Sequence, residues 1–458
     1  MAGIGFELRK VLKKGSLLSL GKMYAYAGLL SSGPWVISIL AIVAVGFINV
    51  ATFKSATHTV QFQVVITYAI ALASSLIITG FVQLPYTRYI ADLIYAGKRE
   101  EVLPSYFGLL FVTWLTGLPF IWLALYWVFP HMDSLFYLEA ATVFLVLCGV
   151  WLSNVIATSL KFFKGVVAAY FVSYGLITLA AWLFPGDLHT LLLIFIAGNV
   201  LLLLLLMIYI IREYGAPRFM HFGFFNRKKF YWRIGIAGLF YNLGAWSDKF
   251  VFWAHPLTGN PVIGKIHASV VYDLPIFIAY LSILPGMAIF FYRLEADFAE
   301  KYERYFNAVV KDGTLGLIEH YRNEMVETVR HAIREIIVYQ GIVDILIFLA
   351  APTLFAVLKI PVLYLNLFYV LTVGALLQLG FMSVLAILFY LDRRTEAMWL
   401  SIAFFVLNTF LSLATIYMGP TWYGYGYAVS LLIVFAISLK VIDNVMENLD
   451  YETFMLRY

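Results

Sequence analysis

Runs of apolar residues long enough to cross a lipid bilayer, separated by gaps that are alternately basic and nearly free of charge, constrain this chain more than anything else in it. A crossing needs about 20 mostly apolar residues for roughly 30 Å of hydrocarbon, and only a helix satisfies its own backbone groups there. Twelve such runs lie near residues 23–50, 61–87, 105–129, 136–158, 166–185, 189–211, 234–254, 266–292, 337–358, 362–391, 397–418 and 423–442. With 63% of its 458 residues hydrophobic and 12% charged, the chain has more apolar surface than a water-soluble core can bury. The expected fold is an all-α polytopic membrane protein with about twelve transmembrane helices in two six-helix lobes around a central cavity.

The basic residues orient the bundle. Of the 31 Lys and Arg, 27 fall in segments on one side of the threaded chain, three (Lys54, Lys265 and Lys359) on the other, and one, Lys249, inside a run. The positive-inside rule places the 27, and with them both the N and C termini, in the cytoplasm. The net charge of +5 then reflects orientation and contact with the lipid bilayer, and gives no sign of nucleic acid as a partner. The first run is too long for the apolar part of a secretory signal, so it reads as a span and not as a cleaved leader.

Along the chain the expected order begins with a cytoplasmic amphipathic helix over residues 1–22, where Phe6, Leu8, Val11 and Leu12 alternate with Arg9, Lys10, Lys13 and Lys14. An N-terminal lobe over 23–211 holds six spans, a basic cytoplasmic linker covers 212–233, and a C-terminal lobe over 234–442 holds six more. Six is even, so both halves enter the membrane in the same sense, as parallel repeats do. Residues 443–458 form a cytoplasmic tail. The largest polar stretch, 293–335, carries seven basic and nine acidic residues and reads as a hairpin of two amphipathic helices broken at Asp312-Gly313. Such mixed charge suits a protein-docking surface, or a solvated hairpin that simply joins two spans. The docking candidates are Arg227, Lys228 and Lys229 in the linker and Arg304, Arg322 and Arg330 in the hairpin.

Ionisable groups within a span are expensive and tend to face a cavity or a partner. In YNLGAWSDKFVFW of the seventh run, helical spacing puts Asn242, Trp246, Lys249 and Trp253 on one stripe, with Tyr241, Asp248 and Phe252 alongside. Hydroxyls of a sugar need hydrogen bonds and its C–H faces stack on aromatic rings, so this stripe suits a carbohydrate path. Adjacent residues point about 100° apart, so Asp248 and Lys249 need not pair with each other, and Lys249 has the alternative of reaching for the interface. Asp273, two residues before Pro275, is a further path candidate. Asp344 lies well inside the ninth run, where it suits a coupling proton or an interhelical hydrogen bond. Pro34 in SSGP, Pro275 and Pro285 mark expected breaks or hinges, because proline removes a helix hydrogen bond. Glu139, near the outer end of the fourth run, is expected to reach water.

Other chemistries find little support. The single cysteine, Cys148, lies inside a span, which excludes a disulfide framework and a cysteine metal site. There is no G-x-x-x-x-G-K-[ST] loop for nucleotide-driven transport, and no cofactor or metal is expected. The predicted outer loops are short and offer catalysis only scattered groups such as His58, His131, Asp133, Asp187, His189 and His255, so no catalytic residue is assigned and no enzyme activity is expected.

Several long strings carry a resemblance. MAGIGFELRKVL, YAYAGLLSSGPWVISIL, YNLGAWSDKFVFW, VVYDLPIFIAYLSILPGMAIFFYRLEADFAEKYERYF and DNVMENLDYETF, in this order from end to end, resemble the PelG family of inner-membrane Pel exopolysaccharide transporters. That family lies within the multidrug/oligosaccharidyl-lipid/polysaccharide exporter superfamily. The resemblance implies two six-helix lobes around a cavity that opens alternately to each side of the bacterial inner membrane. It implies a polysaccharide substrate rich in N-acetylgalactosamine and related amino sugars, moved from cytoplasm to periplasm for a biofilm matrix. It also implies partners: a cytosolic PelF-like glycosyltransferase, a PelD-like cyclic-di-GMP receptor and a PelE-like membrane protein. Two other readings compete with it, an ion-coupled, multidrug-type antiporter for small amphipathic cations and a membrane scaffold that anchors a polysaccharide synthase without translocating anything.

Overall fold

The computed structural model describes residues 17–53, 56–66, 72–159, 162–215, 218–226, 230–311, 313–357 and 359–455. The N-terminal amphipathic helix, apart from its end, lies outside them, as do Arg227, Lys228 and Lys229. Among the described residues the chain forms sixteen α-helices. These are α1 (Leu17–Phe53), α2 (Ala56–Val64), α3 (Leu72–Tyr95), α4 (Val102–Val128), α5 (Ser134–Ser159), α6 (Phe163–Leu183), α7 (Leu188–Glu213) and α8 (Trp232–Ala254). They continue as α9 (Val270–Ser282), α10 (Leu284–Tyr292), α11 (Ala299–Val310), α12 (Leu315–Val357), α13 (Leu365–Tyr390), α14 (Arg394–Met418), α15 (Tyr425–Glu447) and α16 (Leu449–Met455).

Nine of the described helices are long and apolar enough to cross a membrane, and a tenth crossing arises if the pair Val270–Ser282 and Leu284–Val310, bent by 41°, counts as one span. The two other expected runs are also helical. The run 61–87 is represented by α2 and α3 with residues 67–71 outside the described set, and 234–254 is α8, whose apolar character is diluted by Asn242, Asp248 and Lys249. Large apolar side chains face outward along these helices: Leu123 is 72% exposed, Phe171 69% and Leu349 74%. Such a belt has no place in water and is the surface that lipid covers. The protein is therefore a multi-pass membrane protein.

Three local features depart from expectation. The first helix runs unbroken through Ser32, Gly33 and Pro34, so the expected break there is absent. The Ser38 hydroxyl donates to the Pro34 carbonyl at 2.8 Å and the Ser32 hydroxyl to the Gly28 carbonyl at 2.8 Å, which ties side chains to backbone on either side of the proline. The eighth span does not begin at 266. Residues Asn260–Ile263 (β1) and Ile266–Ala268 (β2) pair as a short antiparallel hairpin, turned at Gly264 with φ +56°, a conformation that glycine adopts at low cost. That span is then broken at Ile283, between α9, which has Pro275 in its interior, and α10, which carries Pro285 in its first turn where a missing N–H costs nothing.

The chain divides into two compact units. One is Gly33–Val270; the other combines the chain up to Ser32 with Val271 onward. The first unit includes α8, which the sequence placed at the start of a second lobe, because α8 packs along α3. Its remaining interior joins α5 to α3, α4 and α7, and α6 to α7. In the second unit α13 packs on α15 and α12, and α14 on α15.

The polar stretch 293–335 is not a free-standing hairpin. A π-helical turn at Arg293–Phe298 carries α10 directly into α11, which ends at Val310, and the 43-residue α12 runs without interruption from Leu315 to Val357. At 1.5 Å per residue that helix is about 65 Å long, more than twice what a bilayer core needs. Its polar half is tied down by Lys301–Glu324 at 2.7 Å, by Arg293–Glu335 at 2.7 Å, and by Arg322–Asp450. The Tyr305 hydroxyl, pushed up to about 12 by burial and the neighbouring Asp450 carboxylate, donates to Asp450 at 2.8 Å.

Candidate substrate-path site

Glycine brings α8 against α3. A Cβ on Gly238 would come within 2.4 Å of the Gly80 carbonyl oxygen, and one on Gly235 within 2.5 Å of the Phe81 carbonyl oxygen. Small residues let membrane helices approach until their backbones touch, as they do here. One turn after Gly238, Asn242 donates from Nδ2 to the Leu76 carbonyl at 3.2 Å, across the same crossing. Asn242 thus holds two helices together as well as standing on the expected stripe.

Further along α8, Lys249 folds back on its own helix. Its Nζ donates to both Asp248 carboxylate oxygens at 3.2 Å and to the Ala245 carbonyl at 2.9 Å. The sequence left open whether these neighbours pair; they do, with side chains 4% and 0% exposed. Lys249 is therefore not reaching for the membrane interface. A buried ion pair of this kind persists because leaving either charge alone would be far worse. The Trp246 ring lies 5.7 Å from Nζ, a cation–π distance. Trp246, Phe250 and Trp253 then contact one another with ring centres 5.3–6.4 Å apart. Tyr241 is half-buried on the same helix. The arrangement is a buried, neutralised ion pair beside three touching aromatic rings, of which Trp246 and Phe250 are partly exposed.

Other expected site residues sit elsewhere. Asp273 is buried on α9 and Asp344 on α12, both in the unit that does not contain α8. Of the docking candidates, Arg304 pairs with Glu300, Arg322 with Asp450, and Arg330 with Asp443 at 3.1 Å. Much of the hairpin's alternating charge is thus spent within the chain, chiefly inside the hairpin itself, with Arg322 and Arg330 reaching α16 and α15.

Glu139 does not reach water. It is 2% exposed, and its Oε2 lies 2.8 Å from His189 Nδ1, while His189 Nε2 stands 3.8 Å from Asp133. A carboxylate inside an apolar run implies a partner, and that signal would have led to His189. Among the described residues no group of three His, Cys, Asp or Glu is placed to hold a metal ion.

A family model described as "PelG: Putative exopolysaccharide Exporter (EPS-E)" matches residues 1–454. Among solved structures, the chain is similar to an outward-facing multidrug resistance MATE family transporter of the MOP superfamily, with a TM-score of 0.66 at 12% identity, over 93% of this chain and 96% of the other. It is also similar to a MOP superfamily transporter from Pyrococcus furiosus, with a TM-score of 0.63 at 14% identity, over 92% and 96% of the two chains. The inward-facing form of a MATE transporter gives a TM-score of 0.59 at 13% identity, over 89% and 95%. At these identities the likeness shows the fold alone, the helical bundle of those transporters. A comparison with curated protein sequences gave no match.

Proposed function

Because the chain belongs to the PelG family of exopolysaccharide exporters, we propose that this inner-membrane transporter moves the Pel polymer from cytoplasm to periplasm, with the aromatic stripe of α8 as part of its path. The observation that carries the path is the contact of Trp246, Phe250 and Trp253 beside the closed Asp248–Lys249 pair. Stacking on sugar faces is tolerant of sequence and register, which a polymer sliding past requires, and the buried, compensated ion pair leaves no free charge on which the chain would be trapped. Tyr241 extends the proposed path on α8, and Asp273, on α9 in the other unit, is a separate candidate for sugar contact. The protein moves its substrate without chemically altering it.

In this reading the basic residues mark the cytoplasmic side, where the polymer is made. The partners are a cytosolic PelF-like glycosyltransferase and PelD-like and PelE-like membrane proteins, docking on the linker at Arg227, Lys228 and Lys229 and on the surface of the α11–α12 hairpin. Pro275 and Pro285, on either side of the break at Ile283, serve as the flexible points of a cycle between open states.

Secretion in cells lacking the native gene tests the path. Trp246→Ala, at wild-type protein level, is expected to cut polymer secretion several-fold, while Trp246→Phe keeps most of it. Wild-type secretion by both Trp246→Ala and the uncharged pair Asp248→Asn with Lys249→Met would remove α8 from the path.

A further inference from the structure

The break in the eighth span is closed by a single side chain. Where α9 ends at Ser282 and α10 begins at Leu284, backbone groups lose their helical partners inside the bilayer. Gln340 of α12 donates from Nε2 to the Ser282 carbonyl at 2.9 Å and accepts from the Gly286 N–H on Oε1 at 2.9 Å. Gly286 permits this approach, since a Cβ there would stand 2.6 Å from that same Oε1. The other Nε2 hydrogen goes to Asp344 Oδ1, one turn along α12, at 2.7 Å. Asp344 is 3% exposed, and its Oδ2 is buried without a hydrogen-bond partner among the described residues.

Among the described residues Asp344 has no ion-pair partner, only the neutral Gln340 amide. On the elements that meet α12, the titratable groups flanking this region are Tyr280 of α9, Tyr292 of α10, Tyr364, and Tyr369 and Tyr390 of α13; the Tyr369 hydroxyl donates to the Phe348 carbonyl, and Tyr390 packs against Phe298 and Tyr302. Arg293 and Lys301 are engaged by Glu335 and Glu324 on the polar half of α12. Glu335 itself is about 13 Å from Asp344 along the helix, and Asp273 is about as far from Ser282 along α9. Lys359 lies beyond the end of α12. A carboxylate holding a full charge in hydrocarbon with one neutral donor is strongly disfavoured, whereas a neutral carboxyl there is not.

We propose that Asp344 is a proton-binding site whose occupancy is tied, through Gln340, to closure of the break in the eighth span. The carboxyl is neutral with its proton on Oδ2. When the break opens to water, the O–H bond on Oδ2 transfers its proton to a water molecule, leaving carboxylate and hydronium. The carboxylate then needs donors, and the one it already accepts from is the Gln340 amide that closes the break, so ionisation and closure compete. Asp344 would thus report, and respond to, the state of the eighth span.

Infrared spectroscopy and hydrogen exchange on the purified full-length protein test this separately from transport. The wild type is expected to show a protonated-carboxyl band at neutral pH that is absent from Asp344→Asn and shifted in Gln340→Leu. After correction for intrinsic rates, backbone exchange over residues 282–290 is expected to rise several-fold on going to alkaline pH in the wild type, and not in Asp344→Asn. Should Asp344→Asn misfold, Asp344→Glu, which keeps the proton, is expected to retain a displaced band. No such band in the wild type at neutral pH, or one that Asp344→Asn leaves in place, would overturn the site; an equal alkaline rise in exchange in both proteins would overturn the coupling.

Discussion

Asp248 and Lys249 show how much a pair of residues conceals in a sequence. Their positions and their placement in a span were legible, and so was the aromatic stripe around them. Their pairing was not, because it depends on the Lys249 side chain folding back to the Ala245 carbonyl. Replacing either one alone leaves a buried charge without its counterion, at a cost of about 3–5 kcal/mol. Lys249→Met alone should therefore lower the melting temperature in detergent clearly, and adding Asp248→Asn should restore most of the loss. Asp187 offers a test outside the membrane. It caps α7, its Oδ1 accepting from the Thr190 N–H at 3.0 Å and from the Thr190 hydroxyl at 2.9 Å, and the backbone bond chiefly holds its carboxyl below the usual value. A depressed carboxyl contributes stability above its unfolded value of about 4, lost as pH falls through the folded value. Asp187→Ala should cost about 1 kcal/mol near neutral pH and less in acid, seen as a shrinking difference in melting temperature from the wild type.

At the scale of elements, the helices were legible because lipid demands long apolar runs, while the joints between them were not. The hairpin at Asn260–Ala268 lies where an apolar stretch ran on into the eighth run, so composition alone read Ile266 as the start of a helix. Pro34 misled in the opposite sense: proline weakens a helix without having to end it, and α1 continues. The charges of 293–335 read as a docking face, yet Arg322 and Arg330 are bound to Asp450 and Asp443, partners more than a hundred residues away that no local pattern reveals. Gly238 gives the clearest prediction at this scale. A leucine there must push α8 away from the Gly80 carbonyl, so Gly238→Leu should lower both melting temperature and export, while Gly175→Ala, whose added Cβ meets nothing within 4 Å, should change neither. Asp450→Ala should free α16 from Tyr305 and Arg322 and raise proteolysis of the C-terminal segment, leaving the spans intact.

For the whole molecule, the membrane class followed from hydropathy, and the family from strings spread along the chain; the MOP-type fold agrees with both. What no linear pattern conveyed is that the compact units divide inside α1, between Ser32 and Gly33, and again at Val270, so that α8 belongs with helices of the N-terminal half. Packing of Gly235 and Gly238 on α3 decides that membership, and glycine contacts leave no periodic trace. The central claim is that this chain itself passes a growing exopolysaccharide across the bilayer. Inverted membrane vesicles holding the transporter and its partner proteins, supplied on the outside with the glycosyltransferase and labelled nucleotide sugars, measure it directly. Labelled polymer that accumulates in the lumen, protected from added glycoside hydrolase and lost with Trp246→Ala, is the predicted result; polymer made at a normal rate but fully digestible outside the vesicles would contradict it.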